Sequence, residues 1–165
     1  MVEPGPGFSF IEVMGILETS PARLKAVAEG RADDVLHEPL EPGGWSARDI
    51  LGHLRACQRT WGAYFERILD EDHPTFRYVS PRTTIRRTDF LTLPYRDSLT
   101  GLAAERERLL ARLRNLGPGD LDRVASVKVS GGRVQQHTAF YYVLRMAEHE
   151  RDHVEHLEAA LASTL

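Results

Sequence analysis

The chain has 165 residues, a single cysteine and a formal charge of -3. That length supports one hydrophobic core and is short for two. With 42% hydrophobic and 27% charged residues, the composition excludes a disordered chain and gives no basic surface of the kind nucleic acids require.

FSFIEVMGILE, Phe8 to Glu18, reads as a first helix. Ser20-Pro21 then pairs an N-cap residue with proline at a first helical position, predicting a break and a restart that runs to about Ala28 before Gly30. EPLEPGG is a breaker cluster. Ser46, with Asp49 three residues on, forms a shortened capping box. It opens a long helix to about Leu69 whose apolar residues Ile50, Leu51, Leu54, Cys57, Trp61, Tyr64, Phe65 and Ile68 recur at helical spacing. Trp45, just before it, is expected to pack over the bundle end.

Residues Asp70 to Pro94 carry prolines and charges without a period, and read as a long irregular connection of the functional or mobile kind. The basic RTTIRR run within it, Arg82 to Arg87, reads as a solvated loop in preference to a phosphate or anionic-substrate contact. A third helix runs from Asp97 or Ser98 to Leu116, with Leu99, Leu102, Leu109, Leu113 and Leu116 inward, and GPGD stops it. SVKVSGGRV looks extended around a Gly-Gly turn, and a last helix is expected from Val134 to Ala162.

Four long helices and almost no strand predict an all-α four-helix bundle, one domain over the whole chain. Phe10, Val13 and Leu110 are spare apolar residues on the first and third helices, which points to a symmetric homodimer. No apolar run approaches the roughly 20 residues that span a bilayer, and MVEPGPGFSF lacks the basic and apolar regions of a signal peptide. Cys57 alone forms no internal disulfide. A cytoplasmic protein without membrane or nucleic-acid partners is expected.

HERDH, His149 to His153, has the form H-E-x-x-H, the helix-borne zinc signature of metalloproteases. On a helical projection Val143, Met146, Ala147, Val154, Leu157 and Leu161 form an apolar stripe, and His149 and His153 stack at its border. His156 joins the same ridge. Glu150 falls in the apolar sector and needs a partner, either a ligand imidazole that it supports by a hydrogen bond or an arginine such as Arg55. Tyr142, seven residues before His149 on that ridge, reads as a wall residue rather than a proton donor.

His53 lies between Ile50 and Cys57 and faces the core side of its own helix. Three imidazoles from two helices make a plausible open metal site. Cys57, one turn further on, reads as a small buried hydrophobe or as a fourth, soft ligand. His37, His73 and His137 read as solvated loop residues. A protease would need a third ligand downstream, yet position 159 is Ala159, only 12 residues follow His153, and Glu155 and Glu158 project away. The third ligand has to come from upstream, which argues against peptide cleavage.

PGGWSARDILGHL resembles the Trp-Ser…His-Leu segment of the DinB-like superfamily, and HERDHVEH resembles its closing His-x3-His segment. The resemblance spans most of the chain. It implies a four-helix bundle holding zinc or nickel on His53, His149 and His153, with positions open to water or substrate. Many relatives have glutamine where this chain has His156, which leaves His156 open as an additional ligand or as a replacement for His153.

Family members include transferases and an isomerase that use low-molecular-weight thiols such as bacillithiol and mycothiol, and others are called metal-dependent hydrolases. The resemblance therefore implies a metal-dependent S-transferase or hydrolase acting on a small molecule. The alternatives are a non-catalytic, stress-associated metal-binding bundle and a helical interaction protein without metal.

Overall fold

Helix α1, Phe10–Ala28, begins at a capping box in which Ser9 Oγ accepts from the Glu12 amide and the Glu12 carboxylate accepts from the Ser9 amide. The computed structural model describes residues 7–162, so most of MVEPGPGFSF lies outside the described residues. Contrary to the expected break at Ser20-Pro21, α1 is continuous and holds Pro21 in its interior. Proline removes the amide that would bond the Leu17 carbonyl, and that carbonyl instead accepts from Arg106 Nη1 at 2.7 Å. The Ser20 hydroxyl caps nothing; it donates back to the Ile16 carbonyl at 2.7 Å.

After a short helix α2, Asp33–His37, comes the long helix α3, Ala47–Asp70, capped as expected by Ser46 and Asp49. The expected irregular connection contains regular elements. Strand β1, Thr75–Arg77, is followed by helix α4, Pro81–Arg86, with Ser80 as N-cap and proline in its first turn. The basic run is thus largely helical and docked, not a free loop: Thr84 Oγ1 lies 2.6 Å from Thr60 Oγ1 of α3. Phe90 is buried beneath the guanidiniums of Arg55 and Arg59.

Helix α5 spans Tyr95–Arg114, starting two to three residues earlier than expected. Strand β2, Val124–Lys128, pairs in parallel with β1 and antiparallel with β3, Val134–Thr138, giving a three-stranded sheet in the order β1-β2-β3. The last helix, α6, runs over Ala139–Ala162, because the residues from Val134 to Thr138 pair with β2 instead of joining it.

The four long helices form the bundle. Their principal contacts are α1 with α6, α6 with α3, α3 with α5, and α5 with α1, so α3 and α6 lie side by side. One apolar cluster gathers Leu17, Phe65, Leu113 and Val143, and a second gathers Leu24, Leu51, Leu102 and Leu157. Val13 and Leu110, expected to be spare for a dimer, belong to the first cluster, and Phe10 packs against it. The homodimer expectation loses the residues it rested on. Among the described residues no helix is long and apolar enough to cross a membrane.

Candidate metal centre

The two capping-box hydrogen bonds of Ser46 and Asp49 fix the register of α3 from its first turn. Burial of Ile50, Leu54 and Trp61 turns the stripe that carries His53 and Cys57 toward its neighbours. On α6 the buried residues Met146, Ala147, Val154 and Leu157 leave His149 and His153 half-buried at the seam with α3. The result is convergence. His53 Nε2 and His149 Nε2 are 2.7 Å apart. The His153 ring centroid stands 4.5 Å from that of His149 and 5.3 Å from that of His53.

Cys57 Sγ is 3.6 Å from His53 Nε2, and one donor atom each from His53, Cys57 and His149 lie within 4.8 Å of one another. His153 and His156 both fall outside this group of donor atoms, and His156 is exposed.

Two tryptophans bracket the imidazoles. Trp45 places its ring 5.0 Å from His53 and remains 49% exposed, so it forms a rim of the site and does not cover the bundle end. Trp61 is buried and lies 5.4 Å from His149. Arg145, one turn before His149, lays its guanidinium 5.2 Å over Trp61. Sequence reading missed Arg145, although its i to i+4 spacing from His149 marks it as a neighbour. It also set aside Arg82, whose positive charge reaches His53.

Burial, then the charges of His149, His153 and Arg82, lowers the His53 imidazole to about 4. Burial, then His153 and Arg145, lowers His149 to about 4, with Asp152 opposing. Burial also lowers His153, helped by His156. Neutral imidazoles with free lone pairs are what a divalent cation requires. The donor set, one soft sulfur beside clustered nitrogens, fits zinc, nickel or cobalt better than magnesium or calcium.

Glu150 does not support a ligand imidazole, and its partner is not Arg55. Both its carboxylate oxygens accept from the buried Arg106, at 2.9 and 2.5 Å, while Arg55 pairs with Glu105. Arg106 further donates to Gln58 Oε1 at 2.6 Å. This network was not visible in the sequence, where an arginine on an amphipathic helix reads as surface. Among the described residues no carboxylate is hydrogen-bonded to the clustered imidazoles.

Tyr142 is buried, with its hydroxyl 2.9 Å from His137 Nδ1, and burial drives its acidity well below that of a free phenol. Its ring packs against Tyr64, Phe76 and Tyr141. His137 is not a solvated loop residue: it sits on β3, stacked on Tyr141. His37, half-buried at the end of α2, accepts from the Tyr95 amide at 3.4 Å, while His73 is exposed.

The DinB superfamily pattern matches residues 16–157. The chain belongs to the DinB superfamily. It is 31% identical over 101 residues to a Bacillus subtilis protein called "Putative metal-dependent hydrolase YfiT", a match covering 61% of this chain and 57% of YfiT. It is 27% identical over 129 residues to "Putative metal-dependent hydrolase GK0616" of Geobacillus kaustophilus, covering 73% of this chain and 69% of that one.

The solved structure of YfiT, described as an unusual four-helix bundle topology, superposes with a TM-score of 0.71 at 24% identity, covering 95% of this chain and 91% of that one. TT2238, a four-helix bundle protein, gives 0.62 at 20% identity, covering 92% and 99%. The bundle fold is therefore shared with both.

Proposed function

We propose that this DinB superfamily member is an enzyme that acts on a small molecule through a divalent metal, zinc or nickel, held by His53, His149 and His153. The observation that carries it is the 2.7 Å approach of two imidazole nitrogens from different helices, with the ring of His153 alongside. An ion held there supplies Lewis acidity, which lowers the pKa of a bound thiol or water so that it becomes a nucleophile near neutral pH.

The chain's own residues bias the chemistry. Arg106 holds both oxygens of Glu150, so the carboxylate that a peptidase would use as general base is not free for that role. That favours reactions whose nucleophile loses its proton readily, above all S-transfer from a low-molecular-weight thiol. Hydrolysis of a small activated bond is the second reading, and the relatives' names favour it. Trp45 and Trp61 restrict water at the imidazoles, and Arg82 and Arg145 favour a substrate that carries negative charge.

The test begins with metal analysis of untagged protein, where about one zinc or nickel per chain is expected. His149→Ala should lose metal and turnover together across a panel of thiol acceptors and small esters or amides. Wild-type protein that folds but takes up no divalent metal overturns the proposal. Metal-loaded protein inert toward the whole panel supports the non-catalytic bundle instead.

A further inference from the structure

We propose that Cys57 is itself a metal ligand, so that α3 contributes a nitrogen and a sulfur from successive turns to the centre completed by α6. This rests on the metal-centre reading above and adds a thiolate to its imidazoles. Among the described residues, the hydrogen-bond contacts of Sγ are with the ring nitrogens of His53 alone, at 3.6 Å to Nε2 and 4.0 Å to Nδ1. Four residues apart on α3, the two side chains share one face of the helix, which sets the sulfur beside the imidazole.

The spacing is also that of a coordination edge. A tetrahedral zinc with nitrogen donors at 2.0–2.1 Å and sulfur at 2.3 Å holds a nitrogen and a sulfur about 3.5 Å apart. The His53–Cys57 pair, at 3.6 Å, already has that separation. Because Sγ also lies 4.0 Å from Nδ1, beside the ring, the imidazole has to turn for Nε2 and Sγ to face one ion. The His53 and His149 nitrogens, at 2.7 Å, must open to about 3.3 Å to share the same ion. His149 completes a set of three donors within 4.8 Å of one another, and the ring of His153 lies 4.5 Å from that of His149.

Coordination forms a metal–sulfur bond and releases the S–H proton to solvent, leaving the sulfur's electron pair on the ion with no change of oxidation state. The thiolate cancels one of the ion's two positive charges. It also makes the centre selective for soft or borderline cations over magnesium and calcium. An ion that accepts a fifth donor still leaves room for a substrate atom.

The test is titration of Co2+ into metal-free, untagged, reduced protein, followed by absorption. The chain contains one cysteine, so a thiolate-to-cobalt charge-transfer band in the near ultraviolet has a single source. That band is expected to saturate with the visible ligand-field bands at one ion per chain. Cys57→Ser and Cys57→Ala should keep the visible bands and lose the charge-transfer band. Their cobalt affinity should fall by more than the roughly ten- to hundredfold typical of losing a supporting partner. Visible bands without the charge-transfer band in wild-type protein overturn the proposal and leave the three-imidazole centre standing. Folded wild-type protein that binds no cobalt overturns both. The wild-type spectrum decides the matter even if neither variant folds.

Discussion

At Glu150 an apolar helical face carries a charge that is 2% exposed, and the guanidinium opposite it on Arg106 is 1% exposed. Two charges taken out of water are tolerable only as a hydrogen-bonded pair, so removing one member strands the other. Glu150→Leu or Arg106→Met alone is expected to lower stability in urea unfolding by roughly 3–5 kcal/mol. The double variant Arg106→Met/Glu150→Leu should recover most of that loss and keep its metal. A double variant as unstable as the singles would show that Gln58 and the Leu17 carbonyl depend on the guanidinium in their own right. The imidazoles give a pH dependence. Burial holds His53 and His149 near 4, against 6.5 for the free side chain. Between those values the unfolded chain binds more protons than the folded one. The stability of metal-free protein therefore falls as pH drops from 6.5 toward 4, and this contribution flattens below 4. Chelated protein melted at a series of pH values in that window should show the slope, and His149→Gln should reduce it, leaving the part that His53 contributes. A wild-type midpoint independent of pH there contradicts neutral buried imidazoles.

The elements divide into those whose cause is local and those whose cause is distant. Ser46 and Asp49 cap α3 through residues three apart, so its start could be read directly. Strand β1 has three residues, too few to display a period, and exists because β2, some fifty residues later, supplies its partners. Pro21 misled for the same reason, since the carbonyl it orphans accepts from the remote Arg106. The segment after α4 reaches α3 at Gly52, the residue before His53. A Cβ at Gly52 would lie 2.3 Å from the Phe90 carbonyl oxygen, and that backbone cannot swing aside as a flexible side chain would. Gly52→Ala is expected to cost about 1–3 kcal/mol through overpacking and to weaken cobalt binding by shifting the turn that carries His53. Gly62, on the same helix, has nothing within 4 Å of the added carbon. Gly62→Ala should instead stabilise by about 0.5–1 kcal/mol. Thermal melts and cobalt titrations of the two variants check both, and equal behaviour would show that the Phe90 approach is not limiting.

Across the whole molecule, the order α1, α6, α3, α5 around the bundle puts His53 and His149 on adjacent helices although 96 residues separate them in sequence. The sequence could propose that convergence, because His-x3-His on one helix and an inward histidine on another each mark a face. Helical projection puts Glu150 inward and asks for a partner, but it could not name Arg106 or Gln58, which read as surface until the neighbouring helices are in place. The two apolar clusters together draw on α1, α3, α5 and α6, so the bundle holds without an ion and a metal adds a clamp between α3 and α6. Chelation should therefore leave the far-ultraviolet helical signal unchanged at 25 °C while lowering the melting midpoint. An ion present at a hundred times its dissociation constant stabilises by about 2.7 kcal/mol. For a domain of this length each kcal/mol corresponds to roughly 2–4 °C, so a fall of roughly 5–10 °C is expected. Re-addition of zinc or nickel should restore the midpoint in wild-type protein and fail to do so in His53→Ala. Collapse of the helical signal on chelation would mean that the metal builds the fold rather than clamping it.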